Sequence, residues 1–345
     1  MNAKKLGLIL LSGLIIASLV FNGTAYAQGE ELPNPGITPD SPFYFLDKLN
    51  KNISLLVTLG YEAKARKALQ YSEERLAEAQ AMAAKNKLKW VEQAALEYSR
   101  FLSIAAERQE QARLQGASDN ISESVALATS KHIVVLDRIK DRVSAEAKDA
   151  IIRAKEVSTM GQENALRALA RTKPERAIKI NLAAISERLD RAGVKADQGN
   201  AEEAEEAVAD AEKLRELGEE VSTIAQGLGR DTTSIEQLVA EETSNHLQVL
   251  ARVYEQVPEQ AKPAIERAIT NSVRQQERKV EALKSQGALS AVPEKVTLPS
   301  RVLEKDRASQ SRNTTTEDTQ DKAAEGVKKL QRSAGTSEKV DQSAR

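Results

Sequence analysis

The sequence predicts an all-α protein, with an N-terminal extended hook and helix, two tandem four-helix repeat units of long antiparallel helices, and a disordered C-terminal tail. Three observations predict this fold class. The chain is rich in Ala, Glu, Leu, Lys, Arg and Gln and contains only 3% aromatic residues, as is typical of long amphipathic helices. Apolar residues recur at helical spacing from Tyr61 to about Gln286. Finally, two segments about 114 positions apart resemble each other.

The charge balance and the lack of cysteine exclude several classes of function. The 345 residues include 50 basic and 51 acidic side chains, so net charge provides no general attraction to nucleic acid or to an anionic membrane. The chain has no cysteine, which excludes disulfides, thiolate metal sites and cysteine nucleophiles. Its sequence contains no phosphate-binding glycine loop, dinucleotide fingerprint or nucleophile elbow. We therefore expect neither an enzyme nor a bound cofactor.

Residues 1–27 have the pattern of a secretory signal peptide. Two lysines precede an apolar run over residues 6–21, and an Ala-Tyr-Ala sequence ending at Ala27 provides a cleavage site. The alternative is an uncleaved anchor, because the apolar run approaches the length that spans a bilayer. We expect cleavage, and hence a secreted or extracytoplasmic protein that keeps no transmembrane anchor.

Residues 28–60 are expected to form a proline-rich hook and a first helix. Four prolines between residues 33 and 42 favour an extended, irregular segment. Ser41 can cap the helix, with Pro42 at its first position. Apolar residues then recur at spacings of three and four, which predicts one buried stripe on this helix. The stripe consists of Leu46, Leu49, Ile53 and Leu56.

Eight long helices are predicted behind the hook. Their limits follow from glycines and from capping-box patterns such as Asn120 with Glu123 and Thr233 with Glu236. The predicted ranges are 61–84, 87–116, 120–143, 145–170, 174–197, 200–226, 233–257 and 260–285.

The internal repeat divides these helices into two units. VLDRIKDRV from Val135 aligns without a gap on VLARVYEQV from Val249. Four helices have thus been duplicated, giving unit 1 at residues 61–171 and unit 2 at residues 172–287. Short connections favour antiparallel neighbours, either as two separate bundles or as one continuous solenoid. Residues 288–345 are polar with few large apolar side chains, which predicts disorder.

The two histidines of the chain, His132 and His246, occupy the same position in the two units. Each falls in an apolar stripe at helical spacing, so we expect both to point into the core. A hydrogen bond there would come from Thr129 or Thr243 one turn earlier, or from a facing helix. One alternative is a metal site, although His246 alone has a carboxylate one turn away, at Glu242. The other is a pH sensor, because a half-buried imidazole titrates near neutrality.

Aromatic residues are concentrated in the N-terminal segment and the first unit. Since aromatic side chains are favoured at binding surfaces, this region is the candidate partner surface. The alternative is that the first helix packs its aromatic residues onto unit 1. The candidate residues are Phe43, Tyr44, Phe45 and Trp90.

The densest acidic run spans residues 200–220. We expect a solvated helix face here. The alternative is a face that binds divalent cations loosely through Glu202, Glu205, Glu206 and Asp210.

Three stretches, LPNPGITPDSPFYFLDKL, EAKARKALQYSEERLAEA and HLQVLARVYEQVPEQAKPAIERAI, together resemble a family of secreted bacterial and archaeal proteins, the domain of unknown function DUF5667. A PG-x-x-PDSP-x-YFL opening motif with helical repeats behind it marks that family. The resemblance extends over about Pro33 to Leu283. It implies export, an all-helical body and no established activity, and it assigns no catalytic residues.

These observations favour an exported, non-enzymatic helical protein that serves as an interaction or scaffold module at the cell envelope or outside the cell. Its partner would be a protein or a cell-surface polymer. The alternative is a stress- or metal-responsive binding protein of the periplasmic type, and a third hypothesis is a hydrolase without a recognisable motif.

Overall fold

The computed structural model describes residues 32–117, 119–288, 296–299 and 301. Within these residues the chain forms nine α-helices and no strand. Every helix predicted from the sequence is present, and each end of the eight long helices lies within three residues of its predicted limit. The helices are α1 (Tyr44–Val57), α2 (Tyr61–Ala84), α3 (Leu88–Leu114), α4 (Asn120–Lys140), α5 (Ala145–Ala170), α6 (Pro174–Asp197), α7 (Ala201–Gly227), α8 (Thr233–Gln256) and α9 (Lys262–Ser285).

The eight helices behind α1 form four antiparallel hairpins that stack in chain order. Helix α2 pairs with α3, α4 with α5, α6 with α7, and α8 with α9. Each hairpin packs on the next one, and α6 contacts both helices of the α4–α5 hairpin. One contiguous cluster of buried apolar residues runs from Ala65 in α2 to Ile269 in α9. The protein is therefore one continuous solenoid rather than two separate bundles.

The duplication is visible in the lengths of the helices and in their core positions. Helices α2 and α6 each contain 24 residues, and α3 and α7 each contain 27. Leu136 in α4 and Leu250 in α8 are both buried in the core. The turns after α2 and α6 use a left-handed residue at the same place, Asn86 (φ 52°) and Gly199 (φ 74°), because the chain must reverse there within a few residues.

Helix starts differ from the predicted cap patterns by one or two residues. Helix α1 begins at Tyr44 rather than at Pro42. Asn120 and Thr233 are already the first residues of α4 and α8, and the described helices have a side-chain N-cap bond only at Asn200, before α7. Tertiary packing of apolar faces, rather than capping, therefore determines most of these starts.

The described part of the predicted tail contacts the helical body. Val296 and Leu298 pack against the core, and Arg301 pairs with Glu259 at 3.0 Å. Two apolar side chains and one cation of this short segment thus have partners on the solenoid, whereas residues 289–295 and 300 of the predicted tail lie outside the described residues. Residues 302–345 lie outside the described residues.

The predicted signal peptide, residues 1–27, also lies outside the described residues. Among the helices that are described, none has both the length and the apolar character needed to cross a bilayer.

Candidate functional site: the outer face of the first helix

Helix α1 turns its polar side toward the body of the protein. Tyr44 is buried, and its hydroxyl donates a hydrogen bond to Glu78 of α2 at 2.9 Å. Lys51 is also buried, and it pairs with Asp47 of its own helix (2.6 Å) and with Glu74 of α2 (2.9 Å). The contact between α1 and the solenoid is therefore made largely by charged and hydrogen-bonding groups.

Arg75 of α2 is the centre of this contact. Its fully buried guanidinium donates to Glu78 (2.6 Å), to Asp47 (2.5 Å) and to the hydroxyl of Tyr44 (2.7 Å). Burial raises the pKa of the Glu78 carboxyl and of the Tyr44 hydroxyl. Burial opposes the charge of Arg75, but the adjacent Glu78 carboxylate outweighs this effect and the pKa of Arg75 is raised. Charge-assisted hydrogen bonds in a dry environment thus hold α1 on α2.

The opposite face of α1 is apolar and exposed. Eight large apolar residues in and beside this helix have between 48% and 86% of their surface exposed. The six from residue 45 to residue 57 fall within an arc of about 120° at 3.6 residues per turn. We call this surface the α1 outer face; it consists of Phe43, Phe45, Leu46, Leu49, Ile53, Leu56, Val57 and Leu59.

The predicted buried stripe of α1 is therefore wrong for a single chain. Leu46, Leu49, Ile53 and Leu56 are 48%, 54%, 51% and 76% exposed. The periodicity identified one coherent apolar face, but the surface of α2 beneath this helix presents the buried Arg75 and Glu78, and Leu55 rather than this stripe packs against the apolar core. A buried charge must be paired, so α1 docks with its polar side.

The four aromatic candidates do not form one surface. Phe43 and Phe45 lie on the α1 outer face, 62% and 63% exposed, whereas Tyr44 between them points inward to Glu78. Trp90, at the start of α3, is half-buried against the edge of the core. Tyr44 therefore does not contribute to the predicted partner surface, because it is buried and its hydroxyl donates to Glu78.

Both histidines are buried, as their positions in the apolar stripes predict. His132 is 1% exposed, and its Nδ1 lies 3.0 Å from the hydroxyl of Tyr98, which also lies 2.6 Å from Ser158 Oγ. His246 is 7% exposed, and its Nε2 lies 3.1 Å from Ser186 Oγ. The partners therefore come from facing helices.

The threonines one turn before the histidines do not hydrogen-bond to them. Thr129 and Thr243 donate to backbone carbonyls of their own helices instead, as hydroxyls in helices commonly do. Burial lowers the pKa of His132 to about 3 and that of His246 to about 4. The folded protein therefore keeps both rings neutral near pH 7, which differs from the titration near neutrality that the sensor hypothesis expects.

The metal-site candidates are not brought together. Glu242 is half-buried and accepts a hydrogen bond from Asn245 (3.2 Å), while His246 turns to its serine partner. Within the described residues, no group of three or more His, Cys, Asp or Glu side chains is placed to hold a metal ion.

The acidic run on α7 faces the cations of unit 1. Glu206 pairs with Lys140 (2.5 Å) and with Lys155 (3.1 Å), and Asp210 pairs with Lys155 at 2.7 Å. Burial opposes ionisation of Glu206, but these two lysines lower the pKa of its carboxyl. The run is therefore partly an electrostatic contact between the two units, in addition to the solvated face that the sequence predicts.

Sequence reasoning missed two features of this protein. One is the Arg75–Glu78 pair, whose spacing of three residues looks like an ordinary surface ion pair on a helix. The other is Tyr98, which bonds to one of the two histidines and aligns with Ala211 of unit 2. Comparison of the two units residue by residue gives the signal for the second feature.

The fold and its exposed face define an all-α helical-repeat protein with a separate N-terminal helix. Residues 36–146 match the family described as Domain of unknown function (DUF5667), the family that the sequence resembles. The match covers the second part of the hook and helices α1 to α4, so it extends over less of the chain than the predicted resemblance. No curated protein and no solved structure matches.

Proposed function

We propose that this protein is an exported, non-enzymatic interaction module of the cell envelope that assembles with a second copy of itself through the α1 outer face. The observation that carries the proposal is the exposure of eight large apolar residues, six on one side of α1 and two, Phe43 and Leu59, beside its ends. At roughly 150–200 Å² of surface for each such residue, they expose on the order of 900 Å², above the about 300–600 Å² of the largest patch on a typical monomer.

The spacing of this face suits another helix. Leu46, Leu49, Ile53 and Leu56 follow the three-four alternation of the a and d positions of a coiled coil. Such a seam is self-complementary, as a two-fold interface between identical chains requires. The exposed area also corresponds to the about 800 Å² that each partner buries in a standard protein–protein interface.

Charges around α1 favour a second copy over a lipid surface. Helices that bind anionic membranes keep free Lys or Arg on their polar side. The lysines of α1 are engaged with the protein body instead, Lys51 with Asp47 and Glu74, and Lys48 with Glu97 at 2.6 Å. Next to the seam lie the uncharged Asn50 and Asn52, and the guanidinium of Arg100 that donates to Asn52 (2.9 Å) is paired with Glu97 at 3.0 Å.

Sedimentation velocity over a range of concentrations tests the assembly. We expect the exported protein to dimerise and Leu49→Glu to shift it to a monomer, because a carboxylate would be buried in the seam. Leu96→Glu in α3 is the matched control, since Leu96 is 50% exposed and Leu49 is 54% exposed. It should remain a dimer.

Three results would overturn the self-association. The first is a wild type that stays monomeric at all concentrations, and the second is an equal response of the two glutamate variants. The third is a monomer that binds phosphatidylglycerol vesicles in a flotation assay and loses this binding in Leu49→Glu, which would assign the α1 outer face to lipid.

Export is tested separately, because it rests on the signal-peptide pattern of residues 1–27. N-terminal sequencing of the protein from an exporting host should give Gln28 as the first residue. Recovery of the chain in the membrane fraction with residues 1–27 intact would instead show an anchored protein.

The sensor alternative makes a different prediction. It requires zinc or copper to bind with micromolar affinity and this binding to disappear in His246→Gln. Calorimetry with each metal, on the wild type and on this variant, separates that alternative from an interaction module.

A further inference from the structure

The two repeat units differ at one core position that bears on a binding site. In unit 1, Tyr98 of α3 fills the space between the helices, and its hydroxyl contacts His132 (3.0 Å) and Ser158 (2.6 Å). In unit 2 the same position is Ala211, while the histidine and the serine are retained as His246 and Ser272. Unit 2 thus keeps the polar groups that surround this phenol but lacks the phenol itself.

The ring of His246 has the same orientation as that of His132. In unit 1, Nε2 of His132 lies 3.9 Å from Glu73 of α2, and Nδ1 faces Tyr98. In unit 2, Nε2 of His246 lies 3.1 Å from Ser186, the residue of α6 that aligns with Glu73. Nδ1 of His246 therefore faces the space that the tyrosine fills in unit 1.

The hydroxyl of Ser186 lies within hydrogen-bond distance of the carbonyl of Leu182 (3.2 Å) and of Nε2 of His246 (3.1 Å). Both contacts are satisfied together when the hydroxyl donates to Leu182 and Nε2–H of His246 donates to the hydroxyl. A neutral imidazole carries one N–H, so Nδ1 of that tautomer is a hydrogen-bond acceptor directed at the cleft.

A second acceptor lines the same cleft. Asn181 replaces Ala68 of unit 1, and opposite it Gly218 replaces Ala105. A Cβ on Gly218 would lie 2.8 Å from Asn181 Nδ2, so the two replacements depend on each other. The amide nitrogen of Asn181 donates to the carbonyl of Leu214 (2.8 Å), whereas its buried Oδ1 has no hydrogen-bond partner within the described part of the chain. Such an orphaned acceptor calls for a donor.

The cleft is small inside and opens onto a larger groove. Its interior has about 30 Å³, which accommodates roughly two water-sized groups at about 10–15 Å³ each. A groove of about 230 Å³ between α7 and α9 continues from it and shares Ser222 and Gln275 in its lining. Amides and hydroxyls also line this groove, at Gln226 and Thr223.

The charged side chains at the mouth are ion-paired, including Lys279, which lines both the cleft and the groove and contacts Glu236 at 3.8 Å. Arg215 contacts Glu212 at 3.2 Å and Glu219 at 3.3 Å, and Arg278 contacts Glu219 at 3.0 Å. A charged ligand would have to break these pairs, whereas a neutral ligand would not.

We propose that unit 2 binds a small neutral polyol, with one hydroxyl in the cleft donating to His246 Nδ1 or Asn181 Oδ1 and the rest of the molecule in the α7–α9 groove. In unit 1 the hydroxyl of Tyr98 occupies the corresponding place, so the same fold contains one filled site and one open site.

The presence of only two histidines makes the test site-specific. Long-range ¹H–¹⁵N spectra of the labelled protein, titrated with glycerol, should show a saturable millimolar shift of the His246 Nδ1 resonance, as expected for a ligand of few atoms. The resonances of His132 should not move, because Tyr98 fills its site. Acetate and methylammonium are the charged comparison compounds and should give no saturable shift.

Two variants complete the design. Ala211→Tyr restores the residue of unit 1 and should abolish the glycerol response of His246. Asn181→Ala introduces the alanine that unit 1 has at the aligned position. This variant should weaken the response of His246 at least several-fold. The proposal is overturned if His246 does not respond, if both histidines respond equally, or if both variants bind glycerol like the wild type. None of these results depends on dimerisation through α1.

Discussion

Lys155 of the first repeat unit and Asp210 of the second form an ion pair of 2.7 Å across the junction between the two units. Lys155 also contacts the buried carboxylate of Asp137 at 2.9 Å. Burial disfavours the charge of Lys155, but Asp137 and Asp210 outweigh this effect and raise its pKa. The two units are therefore joined by a mostly buried electrostatic contact in addition to their shared apolar core.

We expect Lys155→Met to destabilise the protein by about 3–5 kcal/mol, because it leaves Asp137 with the more distant Arg191 (3.7 Å) and Asp210 with an exposed lysine in a region with little water. Urea unfolding followed by circular dichroism measures this change. Lys213→Met is the matched control, since Lys213 also pairs with Asp210 but is 69% exposed, and it should cost no more than about 0.5 kcal/mol. Equal costs for the two variants would show that the contact at the junction is energetically unimportant.

The stability of the protein should fall in mild acid partly because of its histidines. The pKa values of His132 and His246 are lowered to about 3 and about 4 from an ordinary value of 6.5. Below pH 6.5 the unfolded chain binds protons that the folded chain excludes, so stability decreases as pH falls toward 4 and is unaffected by these groups above neutrality. Each histidine contributes up to about 1.4 kcal/mol per pH unit in this window.

Unfolding free energies of the wild type and of His132→Gln, measured between pH 7 and 4, test this dependence. The variant should show the shallower loss of stability. Parallel curves would mean that His132 is protonated in the folded protein, contrary to its burial.

Removal of one hydroxyl should disturb the core of unit 1. Tyr98→Phe leaves His132 and Ser158 without their common partner, at an expected cost of about 1–3 kcal/mol. A double-mutant cycle with Ser158→Ala checks the mechanism. Ser158→Ala should cost less in the Tyr98→Phe background than in the wild type, and strictly additive costs would exclude a hydrogen-bonded network.

A β-carbon at the turn after α6 should destabilise the protein. Gly199 has a φ of +74° and open space around its Cα, so Gly199→Ala is strained by its backbone alone and should cost about 1 kcal/mol. Gly227, at the end of α7, also has open space but does not have a positive φ. Gly227→Ala should therefore be neutral or stabilising, and thermal melting distinguishes the two variants.

Helix limits and repeat units could be predicted because their signals are local. Helix α5 has the limits expected from its periodicity, residues 145–170, and the alignment of Leu136 with Leu250 correctly places both in the core. The direction in which α1 faces could not be predicted in this way. Periodicity shows that one face is apolar, but which face is buried depends on the residues of α2 that lie beneath it.

The candidate site was predicted only in part for the same reason. Phe43 and Phe45 are exposed as a partner surface requires, whereas Tyr44 is buried and its hydroxyl bonds to Glu78 and Arg75. The partners of the two histidines come from helices that lie 34 and 60 residues away in the chain. No local pattern of sequence specifies such contacts.

The sequence alone determined an all-α chain of duplicated amphipathic helices, because helix formation and the position of an apolar stripe depend on neighbours a few residues apart. Tertiary structure decided that the hairpins stack in one solenoid, that α1 exposes its apolar side, and that Ala211 leaves a polar cleft where Tyr98 fills the core. These outcomes depend on which distant groups are buried together. A buried charge or acceptor must find its partner wherever the fold places one.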